Sequence, residues 1–216
     1  MKKTSITSGQ LNSVADLVKA ELRRKATKEG AQIFLGKGDE FKKIIAEAYD
    51  RLSSLHIAHP DLEFVNEFPV DIPTGFTVNS SDQQTYNYWN VNLIMANFPK
   101  SGIIAGRRYV CEIYRLMKEM SSENLATAGE KNGRLLGGAL GTARISSPEY
   151  RQNLPEGRVV IGIDHEKNLW RDPDGGLHVP GCSRHGAHVS AGLHYWDVGW
   201  RGGRYVAYFR DLGPCA

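Results

Sequence analysis

The sequence predicts an α+β fold, in which a helical N-terminal half packs with a mostly antiparallel β-sheet formed by the middle and C-terminal segments. Three observations lead there. Apolar residues recur at three- and four-residue steps through much of the first half. From about residue 157 onward, short alternating runs are punctuated by glycine, proline and aspartate. Strand–helix units do not alternate along the chain, which argues against a doubly wound parallel sheet. At 216 residues the chain buries a core without covalent staples. The expected division is a basic amphipathic helix and linker over 1–36, then a single α+β domain over 37–216. The last part of that domain, 157–216, is rich in glycine and aromatics.

The first helix is expected over residues 8–29, where Leu11, Val14, Leu17, Val18 and Leu22 form one apolar stripe. A second follows Asp39 as its cap, with Phe41, Ile44, Ile45, Ala48, Tyr49, Leu52 and Leu55 in period, and ends near Pro60. Beyond it, 62–65 and 75–78 read as short strands, with Pro69 and Pro73 between them. The run 88–95 alternates Trp89, Val91, Leu93 and Met95 against Asn90 and Asn92, which predicts a strand with one polar face. A third helix is expected over 108–120, lined by Tyr109, Val110, Ile113, Leu116, Met117 and Met120. Ser121 or Ser122 starts a further short helix.

Residues 129–147 contain Gly129, Gly133, Gly137, Gly138 and Gly141. They match neither GxxxxGK[ST] nor a GxGxxG turn set between strand and helix. Close backbone packing is the simpler use of such small residues. In the tail, 158–163 reads as a central strand, 172–176 as a tight turn, and 193–200 with 204–210 as a hairpin turning at Gly202-Gly203.

Composition bounds the function. With 41% hydrophobic and 24% charged residues, the chain has the makings of a packed core and not of a disordered polymer. Residues 1–28 carry seven lysines and arginines against Asp16 and Glu21, a surplus of five, within a net charge of +3. A basic end of this kind suits nucleic acid, a membrane surface or an acidic partner, and Arg23, Arg24, Lys25 and Lys28 are the candidate nucleic-acid contacts. No run reaches the roughly 18 apolar residues of a transmembrane segment, and no apolar block follows the lysines of MKKTSITSG. The three cysteines, Cys111, Cys182 and Cys215, form no disulfide framework. The expected location is cytoplasmic.

The densest chemistry lies in Cys182, His185, His188 and His194, four ligand types that zinc accepts. Their spacing lacks the second knuckle of a structural zinc site, so the cofactor expectation is either none or zinc. Cys182 is also a candidate nucleophile, with Asp164, His165 and Glu166 as the groups that would move or orient protons. Tail aromatics interleave with arginines, a mixture that serves cores, protein interfaces and single-stranded nucleic acid alike. Tyr88, Trp89, Trp196 and Trp200 are the candidate interface residues.

No catalytic motif is complete. The leading expectation is therefore a non-enzymatic structural or protein-interaction subunit, with a protein partner or a second copy of the chain. The alternatives are a metal- or cysteine-dependent hydrolase using 164–194, and a nucleic-acid-binding protein.

Overall fold

The computed structural model describes residues 56–57, 59–80 and 85–215. The chain divides into the units Met1–Ala58 and His59–Ala216, and the architecture below belongs to the second. The expected helices over 8–29 and 39–59 lie outside the described residues. So do the basic candidates Arg23, Arg24, Lys25 and Lys28.

The second unit is built on one nine-stranded sheet. The strands are β1 (Leu62–Ile72), β2 (Tyr88–Trp89), β3 (Arg107–Leu116), β4 (Leu135–Leu136), β5 (Val159–Ile161), β6 (Trp170–Arg171), β7 (Leu177–His185), β8 (His188–Tyr195) and β9 (Tyr205–Pro214). Their order is β1-β3-β9-β5-β7-β8-β2, with β4 joined to β9 and β6 to β7. Two helices, α1 (Ser122–Lys131) and α2 (Gly138–Ile145), sit between β3 and β5 in the chain.

This corrects the expected fold class in two respects. Among the described residues the α-helices lie in the middle of the sequence, not in an N-terminal helical half. The sheet is mixed, because β5 runs parallel to β9 and β2 runs parallel to β8.

The expected helix over 108–120 is strand β3, and the reason is burial on both faces. Tyr109, Cys111 and Ile113 face the layer holding α2. Tyr114 and Leu116 face the other side with Tyr208, whose hydroxyl donates to the Leu125 carbonyl of α1 at 2.7 Å. A strand covered on both sides loses its polar alternation and imitates a helical stripe. β1 changes sides at a bulge between Phe64 and Asn66. Phe64 meets Tyr114 edge-on at 5.7 Å, whereas Phe68, Val70 and Ile72 enter the α2 layer.

Other expectations shift as well. Residues 62–65 belong to an 11-residue strand that runs through Pro69, which an edge position tolerates. The expected strand at 75–78 is a turn leading into a 3-10 turn, Val78–Ser80. Only Tyr88–Trp89 of the expected 88–95 strand is extended, with Val91 exposed and Leu93 buried. The expected 193–210 hairpin does not form: β8 pairs with β7, and β9 with β3 and β5. The helix start at Ser121 is as expected. Its hydroxyl accepts the Asn124 N–H at 3.2 Å, and Glu123 occupies the first turn. In the glycine-rich segment the small residues allow close approach. A Cβ on Gly141 would stand 2.8 Å from the Phe209 ring, and one on Gly129 2.6 Å from Tyr208.

The two outer edges of the sheet are finished differently. On β1, Asp71 donates its N–H to the Tyr150 hydroxyl at 3.1 Å, and its carbonyl accepts Arg144 Nε at 2.6 Å. Pro69, two residues away on the same side, has no N–H to offer. The bulge, the proline and these two bonds close that edge to further pairing.

Candidate functional site

The chemistry-bearing residues fall into three places. The first is the turn after β5. Asp164 is buried, and its Oδ1 accepts the His165 N–H at 2.7 Å and the Asn168 side-chain amide at 2.8 Å. The Gly102 N–H approaches its other oxygen at 3.4 Å. Burial raises the Asp164 carboxyl above its usual range, and these hydrogen bonds offset part of the rise. His165 is partly exposed, and its Nε2 stands 3.1 Å from Glu130 Oε1 at the end of α1. Glu166 is exposed, with Arg171 at 3.6 Å.

Beside this turn lies a cleft of about 560 Å³, walled by Phe76, Phe98, Ile103 and Leu140, with His165 and Lys167 at its mouth. A histidine beside a carboxylate is an arrangement that general-base chemistry can use. Cys182, His185, His188 and His194 do not line the cleft.

The second place is the β7–β8 hairpin, which carries all four candidate metal ligands. Strand pairing separates them. Cys182 lies opposite Ala191, His185 opposite His188 at the tip, and His194 opposite Val179. Six strand positions separate His194 from His188, about 20 Å at roughly 3.3 Å per residue. Cys182 faces the core, and burial pushes its thiol up to about 12. A thiol so placed is not a nucleophile at neutral pH. His194 packs edge-on against Trp200, and burial, with the nearby Arg204 charge, lowers its pKa. Among the described residues no group of three or more His, Cys, Asp or Glu is arranged to hold a metal ion.

The third place is the outer edge of β8. The Asn87 and Asn90 N–H groups donate to the carbonyls of Val189 and Ala191, and β2 pairs only with Ser190 and Ala191. Strand alternation turns the main-chain groups of Leu193 and Tyr195 to that same side. There they have no strand partner among the described residues. Tyr88, Val91 and Tyr195 are 54%, 80% and 53% exposed around this edge.

Of the four candidate interface residues, Tyr88 is exposed and Trp89 and Trp196 are half-buried. Trp200 is a core residue instead, 4% exposed, and its indole donates to the Ser122 hydroxyl at 2.8 Å. Tyr195 and Glu130 were not among the expected site residues. Their roles depend on strand register and on a pairing 35 positions apart in the chain, which local patterns do not encode.

No helix among the described residues is long and apolar enough to cross a membrane. The chain matches no protein-family model, and no curated protein and no solved structure is similar to it.

Proposed function

We propose that the chain is a non-enzymatic protein-interaction subunit that receives an extended segment of a partner protein along the outer edge of β8. The observation that carries this reading is the contrast between the two sheet edges. β1 is closed by Pro69, a bulge and the Tyr150 and Arg144 bonds. β8 presents main-chain donors and acceptors at Leu193 and Tyr195 beside three exposed apolar side chains. An added strand gains affinity from main-chain bonds and specificity from alternate side chains. The scatter of Cys182 and the three histidines, and the burial of the thiol, weigh against the hydrolase alternative. The three free cysteines fit a reducing, cytoplasmic setting.

A photo-crosslinking amino acid at Tyr88, in the intact chain expressed in its own cells, tests the reading. The expected result is one discrete crosslinked polypeptide, which is not captured from Lys118, an exposed position at the β1–β3 end of the sheet. Leu193→Pro removes one outward N–H while leaving the β7 ladder in place. It should reduce capture by about fivefold or more, the worth of roughly one hydrogen bond. Tyr195→Lys should act in the same direction. Equal capture from Tyr88 and Lys118, or capture indifferent to both substitutions, would overturn the proposal.

A further inference from the structure

At the N-terminal end of β5, sheet pairing gathers basic residues from three separated segments. Val159 lies opposite Ser183 of β7, and Val160 lies beside Tyr205 of β9. Arg204, one residue earlier, therefore falls next to Val159, and His185 falls two positions beyond Ser183. These residues line a hollow of about 320 Å³ with Gly157, Arg158, Gly202 and Gly203. Gly157 and Gly203 have φ of +64° and +86°, a backbone state that disfavours any side chain. Part of the lining is accordingly bare main chain.

The charge balance here is one-sided. No carboxylate lines the hollow, and Arg158 and Arg204 have no ion-pair partner among the described residues. Three other tail arginines are engaged, Arg171 with Glu166, Arg184 with Glu156, and Arg210 with Glu112 and Glu67, while Arg201 is exposed outside the hollow. Arg158 and Arg204 both line the hollow, and an anion bound there would offset their like charges. Arginine forks match the oxygen geometry of a phosphoryl group, and the Ser183 hydroxyl adds a further donor. The carboxylate partners of Arg171, Arg184 and Arg210 neutralise much of the tail's arginine charge outside the hollow. That favours a small anion over a nucleic-acid strand, which needs a groove following its backbone.

We propose that this hollow is an oxyanion site that takes the phosphoryl group of a small phosphorylated molecule. It is separate from the β8 edge and from the His165 cleft. Isothermal titration of the full chain with pyrophosphate tests it. Saturable binding is expected. Arg158→Gln and Arg204→Gln should each weaken it about tenfold, the loss of one charge-assisted hydrogen bond. Both side chains are exposed, and tryptophan fluorescence checks that the variants remain folded. Arg201→Gln removes an exposed neighbouring charge that does not line the hollow, and binding should then stay within about twofold. Three results would overturn the proposal. The first is no binding up to about 10 mM pyrophosphate, weaker than the affinity of even a loose specific site. The second is equal weakening by Arg201→Gln, which would mean diffuse charge attraction. The third is tighter binding of a single-stranded oligonucleotide that all three substitutions reduce, which would make this face a nucleic-acid surface instead.

Discussion

Glu112 offers the sharpest test of how the sheet is held together. Its side chain is fully buried in β3, and its carboxylate accepts three hydrogen bonds. They come from the Tyr114 hydroxyl at 2.8 Å, Arg134 Nε at 2.8 Å and Arg210 Nε at 3.2 Å. Glu112→Ala leaves two cations without this acceptor, and their surroundings differ. The Arg134 side chain is only 10% exposed, so it loses its Glu112 carboxylate where water screens the charge little. Arg210 is 31% exposed and keeps Glu67 at 3.3 Å, so it loses less. Breaking one partner of a buried pair costs about 3–5 kcal/mol, and Arg134 accounts for most of it. At about 3 °C per kcal/mol for a unit of this size, the midpoint of thermal unfolding should fall by about 9–15 °C. All four tryptophans, Trp89, Trp170, Trp196 and Trp200, lie beyond residue 58. Their fluorescence therefore follows this unit alone during urea or thermal unfolding. The double substitution Glu112→Leu with Arg134→Met removes both charges and should recover to within about 2 kcal/mol of the parent. A Glu112→Ala protein within about 1 kcal/mol of the parent, or a double variant no better than the single, would refute the reasoning.

Two further outcomes follow from buried groups. Cys111 and Cys182 have thiols raised by burial, while Cys215 is only half-buried. A thiol reagent added to the native protein should modify Cys215 first and reach the other two only as the unit opens. Equal labelling rates at Cys182 and Cys215, read by peptide mass spectrometry, would contradict that placement. Asp164 is shifted in the opposite direction to Asp71, Asp172 and Asp211. Its folded pKa lies above the usual 3.8, mainly through burial. The stability it contributes is therefore present below pH 3.8 and lost as the pH rises through the folded value. Asp71, held low by its Arg108 hydrogen bond, contributes stability above its ordinary pKa that is lost on acidification. Measured against Asp164→Asn, the parent should lose relative stability as the pH is raised from about 3.8 toward neutrality. A difference that is flat or rising over that range would show that the carboxylate is not penalised by burial.

Local signals were legible where the physics is local. Ser121 caps α1 through its own side chain, and the Asp172–Gly176 turn closes with the Asp172 N–H donating to the Gly176 carbonyl at 2.9 Å. Residues 107–116 were not legible as a strand. Tyr109, Cys111, Ile113 and Tyr114 are all buried, and a run buried on both faces carries no period-two signature. Gly202 and Gly203 do mark a turn, but a turn does not name its partners, and β8 turns back on β7. The Cys/His cluster is compact in sequence and extended in space, because a hairpin spaces residues by about 3.3 Å each and does not gather them. The His165–Glu130 pair and the Arg158–Arg204 hollow show the reverse, distant in the chain and close in the fold.

β9 carries a consequence for how the molecule assembles. Among the described strands it comes last in sequence, yet it occupies the third position of the sheet, bonded to β3 on one side and β5 on the other. β1 with β3, and β5 with β7 and β8, are two ribbons that share no direct pairing. Residues 205–214 are the seam that joins them. During synthesis each ribbon is available early, with Tyr114 and Phe64 on one and Val160 and Cys182 on the other, but the shared interior has no middle until the seam arrives. Closing it brings Cys111 to Phe209 across nearly a hundred residues, the kind of distant pairing that slows folding and leaves strand edges bare while the chain waits.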